Sequence, residues 1–214
     1  MMKLIDATRL LWVTPEAERL IVKTARVSAP QNEDNLATGP RLLKYLIKHK
    51  HWSPFEMANM CLEIHTQRDI SAQIIRHRSF HFQEFSQRYA ETEQAKIPKF
   101  RRQDSRNRQN SIDDLTDEQI DMLEELTYKH IKEGYELYQT MLEMGVAKET
   151  ARRHLPMCSP TRIYMNGTLR SWIHYIDLRT DPGTQWEHRT IANQAKIIFQ
   201  QQFPVISEAL WYEA

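Results

Sequence analysis

Only five of the 214 residues are glycine, Gly39, Gly134, Gly145, Gly167 and Gly183, and none falls in a GxG, GxGxxG or GxxxxGK pattern. A dinucleotide-binding turn or a phosphate loop brings backbone close to phosphate, and that approach requires glycines at fixed spacings. Both designs are excluded, so any phosphate must be held by side chains, chiefly arginine. The 29 Lys and Arg residues are balanced by 28 Asp and Glu, so no global field draws the chain to nucleic acid or membrane. Binding has to come from local clusters.

A hydrophobic share of 41% beside 27% charged residues is the balance of a soluble globular protein, and the length suits one domain over residues 1–214. The opening MMKLIDATRLLW does not read as a signal peptide, and no apolar run approaches a membrane span. Cys61 and Cys158 stand outside any CxxC pair. They read as small buried side chains in a reducing cytoplasm, or a host cytoplasm if the source is viral.

Residues 2–12 read as a strand, and Thr14-Pro15-Glu16 opens a helix to about Val27. A second helix runs from about Arg41 to His49. Met60, Leu62 and Ile64 alternate with Cys61, Glu63 and His65, which predicts a strand between Glu56 and Thr66. Arg68–His77 reads as a helix and polar residues 92–116 as a long loop. Asp117–Glu143 is a long amphipathic helix with Ile120, Leu123, Leu126, Ile131, Leu137 and Met141 on its apolar side. A short helix at Lys148–His154, a strand at Thr161–Met165 and helices at 168–178, 184–202 and after Pro204 complete the chain. Helices dominate without regular alternation with strands. That predicts an α+β fold with a small mixed or antiparallel sheet flanked by many helices.

The densest chemistry lies between Gln73 and Tyr89. On a helix, Ile70, Ile74 and Ile75 share one arc, while Gln73, Arg76 and His77 share the opposite one. Glu84, Ser86 and Arg88 follow at a period of two, so an extended segment sends all three to one side. A carboxylate, a hydroxyl and a guanidinium together suit a ligand bearing amide, hydroxyl and phosphate groups. Taken alone, Arg76-His77-Arg78 is equally a set of cations at the negative end of a helix. Ser53-Pro54-Phe55-Glu56 likewise fits a capping box, and Arg152 and Arg179 fit helix-end cations.

Arg76-His77-Arg78, seven residues and then Ser86 resembles the signature of the flavin-dependent thymidylate synthases. His51-Trp52-Ser53-Pro54-Phe55-Glu56 is similar to that family's His-x-Ser/Thr-Pro-Phe-Glu element. Ala151-Arg152 before Leu155-Pro156, and Leu178-Arg179 before Gln185-Trp186-Glu187, follow in family order. The close resemblance spans roughly residues 36–90 and 145–190.

The resemblance implies methylation of dUMP to dTMP, with FAD as the hydride donor, NADPH as its reductant and 5,10-methylenetetrahydrofolate as the carbon source. It implies a homotetramer with shared active sites. Gln73, Ile74, Ile75, Arg76, Glu84, Phe85, Ser86, Gln87 and Arg88 would surround dUMP, with Arg152 reaching the nucleotide of a neighbouring subunit. Arg179 would polarise the uracil. Ser53, Arg76, His77, Arg78, Glu84, Thr168, Leu169, Arg170 and His174 would contact FAD, and His51 would lie near the exposed flavin face.

Arg179, Ser86 and His51 are thus the expected catalytic positions. Neither cysteine lies in the signature block to serve as a nucleophile, and Ser86 has no adjacent base, so it reads as a positioning residue. An Arg-rich nucleic-acid-binding module is the competing reading, built on Arg76, Arg78, Arg88 and residues 99–108. The balanced charge weighs against it. With no HExxH motif and no Asp/His cluster at ligand spacing, the nine histidines do not point to a metal.

Overall fold

Met60, Leu62 and Ile64 are fully buried, as expected of a strand with one face against a core. The computed structural model describes residues 7–212, so of the expected strand 2–12, residues 2–6 lie outside the described part. In chain order the strands are β1 (Ala7–Val13), β2 (Asn59–Gln67), β3 (His81–Glu84), β4 (Arg102–Gln103), β5 (Ser111–Ile112) and β6 (Pro160–Thr168). The helices are α1 (Ala17–Ala25), α2 (Gly39–Lys48), α3 (Arg68–Ile74), α4 (Asp117–Glu143), α5 (Lys148–Ala151), α6 (Leu169–Arg179), α7 (Trp186–Gln202) and α8 (Pro204–Trp211). The fold is α+β, and the main sheet is antiparallel in the order β1-β2-β6-β3.

β2 and β6 pair along their whole length, from Asn59 opposite Thr168 to Gln67 opposite Pro160. This register sets Leu62 beside Met165 and Ile64 beside Ile163 on one face, where they join the core with Trp172, Ile173 and Ile176 of α6 and Ile191, Ala195 and Phe199 of α7. The Trp172 indole donates to the Met60 carbonyl at 2.8 Å, which fixes α6 against the central strand. The other face is polar. There Arg9 donates to Glu63 at 2.8 Å, and His65 approaches the same carboxylate at 2.6 Å.

Five local expectations are corrected. The helix starting at Arg68 ends at Ile74, because tight turns at His77 and Phe80 bring the Phe80 ring into the core. Ile75 is left exposed, so it does not share an arc with Ile70 and Ile74. The extended segment stops at Glu84, so Glu84, Ser86 and Arg88 do not share one strand face. The Ser86 carbonyl accepts from the amides of Tyr89 and Ala90 at 3.1 Å each, and the chain turns there.

Residues 92–116 are not wholly loop. They carry the β4–β5 ribbon, closed by Arg102 on Asp114 and by an Asp104 carboxylate that accepts amides of Arg106 and Asn107. Ser53–Glu56 is a single 3₁₀ turn without a side-chain cap, so the capping-box reading fails.

The helix Asp117–Glu143 forms as expected and opens on a capping box of Thr116 and Gln119. Its apolar side is only partly covered. Ile131 and Tyr138 are buried, whereas Leu126 and Leu137 stay exposed. Among the described residues, no helix is long and apolar enough to cross a membrane.

Gly167 is the glycine whose lack of a side chain is structurally required. A Cβ there would stand 2.4 Å from the Phe80 ring. That ring lies edge-on to Trp172 at 4.9 Å and to Tyr175 at 5.8 Å. Gly167→Ala should therefore displace Phe80 and cost on the order of 1–3 kcal/mol, as overpacking of a tight core does. Urea unfolding measures it, and Phe80→Leu in the same chain should recover part of the loss.

Candidate active site

α6 runs between the two halves of the candidate site. At its start, the Thr168 hydroxyl caps the helix by accepting the Ser171 amide at 3.2 Å. The Ser171 hydroxyl donates to the Ser79 carbonyl at 3.2 Å, which holds the Arg76–Ser79 segment against this end of the helix. Arg170 reaches Glu56 of the 3₁₀ turn. One helical turn on, His174 lies edge-on to Trp52, with ring centroids 5.1 Å apart. Trp52 and Glu56, on either side of Ser53, thus meet His174 and Arg170 of α6, and Ser79, next to Arg78, meets Ser171 near the start of the same helix. Leu169 is fully buried, so its side chain belongs to the core. His51 is exposed next to Trp52 and neighbours Tyr45 and His49.

Arg179 ends α6. Its Nε donates to Nε2 of His77 at 2.9 Å. A nitrogen that accepts carries no proton, so His77 is neutral with its hydrogen on Nδ1. Burial first, and then the Arg179 charge, hold this imidazole down at about 4. Behind it, His188 is fully buried, with Nε2 3.1 Å from the Tyr175 hydroxyl and Nδ1 3.4 Å from Oε1 of Gln73. Burial, followed by the charge of Arg179, lowers His188 to about 3. Burial likewise raises the Tyr175 phenol above its ordinary range. A carboxylate in the place of His77 would neutralise the guanidinium. A neutral ring orients it and leaves its charge intact. Among the described residues, no partner is found for the two Nη groups of Arg179.

Glu84 closes β3. Its Oε1 accepts from Arg68 at 2.7 Å, Ser71 at 2.6 Å and Thr161 at 2.9 Å. Sequence reasoning missed all three of these partners, since nothing in their spacing singles them out. It also missed Tyr175 and His188, which read there as ordinary helix residues.

Ser86, Gln87, Arg88 and Arg152 form a separate group. The Ser86 hydroxyl accepts the Arg88 amide at 3.3 Å, and Arg88 pairs with Glu149 of α5 at 2.7 Å. Arg152 follows α5 directly. Gln87 is buried, and its Nε2 finds no hydrogen-bond partner among the described residues. No hydrogen bond or ion pair among the described residues joins this group directly to Arg179. Phe85 is half-buried, Arg76 is exposed and the Ile74 side chain is in the core.

The donor set fits a flavin dinucleotide in kind. Arg76 and Arg78 are exposed, and neither makes an ion pair among the described residues. Exposed guanidinium groups suit a diphosphate where no glycine loop exists. Beside Ser53 opens a cleft of about 500 Å³, lined in part by Leu20, Val27, Pro54 and Met57, apolar enough for a flat ring.

Residues 9–205 match the family described as "Thymidylate synthase complementing protein". A probable flavin-dependent thymidylate synthase of Paramecium bursaria Chlorella virus 1 is 51% identical over 210 residues, which is 97% of either chain. The chain belongs to this family. The flavin-dependent thymidylate synthase of Synechocystis is 46% identical, over 90% of this chain and 89% of its own. The fold is also that of a UMP/dUMP methylase from Streptomyces cacaoi, crystallised with 5-Br dUMP. The two superpose with a TM-score of 0.85 at 24% identity, over 95% of this chain and 93% of that one. The elements that resemble the family meet along α6, where contacts bring the signature segment and Arg179 together.

The two neutral histidines tie stability to pH. Free imidazole takes up a proton near 6.5, whereas in the folded chain His77 and His188 resist protonation to about 4 and about 3. Between those limits the unfolded chain binds more protons, so stability falls as pH drops below about 6.5. Each group contributes a slope of up to about 1.4 kcal/mol per pH unit. Thermal unfolding followed from pH 7 to pH 5 should show a falling midpoint, and His188→Asn should flatten the decline.

Proposed function

We propose that this flavin-dependent thymidylate synthase methylates dUMP to dTMP along α6, and that Arg179 activates the uracil. The observation that carries the reading is the half-buried Arg179, fixed through Nε by a neutral His77. Uracil C5 must become electron-rich to accept a one-carbon unit. A preorganised cation against the O2/N3 edge of the ring stabilises the anionic form, and partial desolvation strengthens that attraction. When bound, reduced FAD is the source of the hydride, 5,10-methylenetetrahydrofolate of the carbon and NADPH of the electrons that regenerate the flavin.

The remaining residues bind and orient. Gln73, Arg76 and the Glu84–Arg88 stretch hold dUMP, while Ser53, Arg76, His77, Arg78, Glu84, Arg170 and His174 hold FAD, with Thr168 and Leu169 shaping the start of α6. Ile74 and Ile75 contribute backbone to the dUMP site. His51 borders the flavin face. Ser86 acts as a positioning group, since its hydroxyl accepts a backbone amide and contacts no base. Arg88 can exchange Glu149 for phosphate cheaply, because exposed ion pairs contribute only ~0–1 kcal/mol.

No hydrogen bond or ion pair among the described residues joins the Ser86–Arg88 and Arg152 group to Arg179 within one chain, which is compatible with sites shared between subunits of a homotetramer. The exposed Met122, Leu126 and Leu137 of α4 offer apolar surface for such an assembly.

Arg179→Ala should lower dTMP formation roughly a hundredfold or more, the usual cost of losing a preorganised charge donor. Bound flavin and NADPH oxidation should persist. Arg179→Lys should recover only part of the rate, because an ammonium lacks the planar fork. Near-normal dTMP synthesis by Arg179→Ala would reduce the residue to a helix-end cation.

A further inference from the structure

Arg101 lies in the polar excursion between Thr92 and Thr116, outside the segments that carry the family resemblance. Its side chain is nevertheless only 11% exposed. Nη2 donates to both oxygens of Glu187, at 2.8 and 2.9 Å, and Nε donates to the Ser111 hydroxyl at 2.9 Å. The guanidinium lies over Trp186, 5.4 Å from the ring centroid. Glu187 is as enclosed as its partner, with 12% of its side chain exposed.

From Glu187 a chain of hydrogen bonds leads into the site. Gln185 donates to Glu187 at 3.1 Å, and Gln73 donates to Oε1 of Gln185 at 2.6 Å. Oε1 of Gln73 faces Nδ1 of His188 at 3.4 Å, and Nε2 of His188 faces the Tyr175 hydroxyl at 3.1 Å. An amide oxygen only accepts, so Nδ1 carries the hydrogen and Nε2 accepts from the phenol. Every donor then points from Tyr175 towards Glu187. Arg101 closes the run as a cation from the opposite side.

We propose that Arg101 is a positioning residue for nucleotide binding: by fixing Glu187 it aligns Gln185, and through Gln185 the amide of Gln73. The inference rests on the placement of Gln73 in the dUMP site argued above. A terminal amide torsion has a broad, roughly two-fold preference, so Gln73 without this chain can present either its oxygen or its nitrogen to a ligand. With the chain intact, Oε1 is engaged on the protein side. The second N–H of Gln73 is left as a donor for a substrate oxygen. Gln73 is not among the residues that hold FAD under the same reading, so flavin binding should not sense the change.

The test compares dUMP steady-state kinetics and flavin content for flavin-loaded, full-length Arg101→Ala, Arg101→Lys, Gln185→Ala and Gln73→Ala. Arg101→Ala should raise KM for dUMP roughly tenfold, the scale of one charge-assisted hydrogen bond. At saturating dUMP, kcat should change little, and bound flavin should be unaltered. Arg101→Lys should recover part of the affinity, since an ammonium can meet Glu187 without also holding Ser111.

Gln185 is exposed, so Gln185→Ala breaks the same chain without disturbing buried structure and should give the same KM rise even if Arg101→Ala folds poorly. Combining Arg101→Ala with Gln73→Ala should add little to Gln73→Ala alone, because the two act through one group. If Gln73→Ala raises KM while Arg101→Ala and Gln185→Ala do not, the positioning role is overturned and the dUMP site stands. An unchanged KM in Gln73→Ala overturns the site reading, and the role of Arg101 with it.

Discussion

The Phe80 ring sits where β6 has no side chain, over Gly167, with its edges toward Trp172 and Tyr175. This contact decides where the polar segment before it can run. α3 stops at Ile74 so that Phe80 can enter the core, and Arg76, His77 and Arg78 are carried across the flank of α6 as a result. The Ser79 carbonyl then meets Ser171, and His77 meets Arg179 eleven residues after α6's capping Thr168. A side chain at position 167 would separate these groups, although it would touch none of the residues expected to bind a ligand.

The polar groups built on this frame are kept at fixed charge. His77 and His188 are neutral because they are buried beside Arg179, and neither carries the second proton, and with it the positive charge, that would compete with the guanidinium for an anionic ring. Glu84 is locked from three directions by Arg68, Ser71 and Thr161. Such rigid placement is what electrostatic activation requires, because donors that need not reorganise act fully at the moment of reaction. The Arg88–Glu149 pair differs. It is exposed on both sides and is held weakly enough to be exchanged.

The family was legible from the signature, the His-x-Ser/Thr-Pro-Phe-Glu element and the two later arginine elements, since their order and spacing persist in the chain whatever the fold does. Residue-level roles were less legible. A period of two placed Glu84, Ser86 and Arg88 together, but strand geometry ends where three donors seize Glu84 and the chain turns at Ser86. The 92–116 segment offered only charge to read. Its anchor, Arg101 on Glu187, spans 86 positions, and no local pattern encodes a contact of that range.

The sequence by itself determined that no glycine loop binds phosphate, that Met60, Leu62 and Ile64 lie on a strand, that Asp117–Glu143 is one long helix and that the chain resembles the flavin-dependent thymidylate synthases. Those properties are local, set by residue type, period and spacing. The tertiary structure alone decided that His77 accepts from Arg179, that Glu84 is held by Arg68, Ser71 and Thr161, and that Arg101 reaches Gln73 through Glu187 and Gln185. Each of these depends on side chains brought together by packing, and packing is fixed by the whole core, not by any stretch of it.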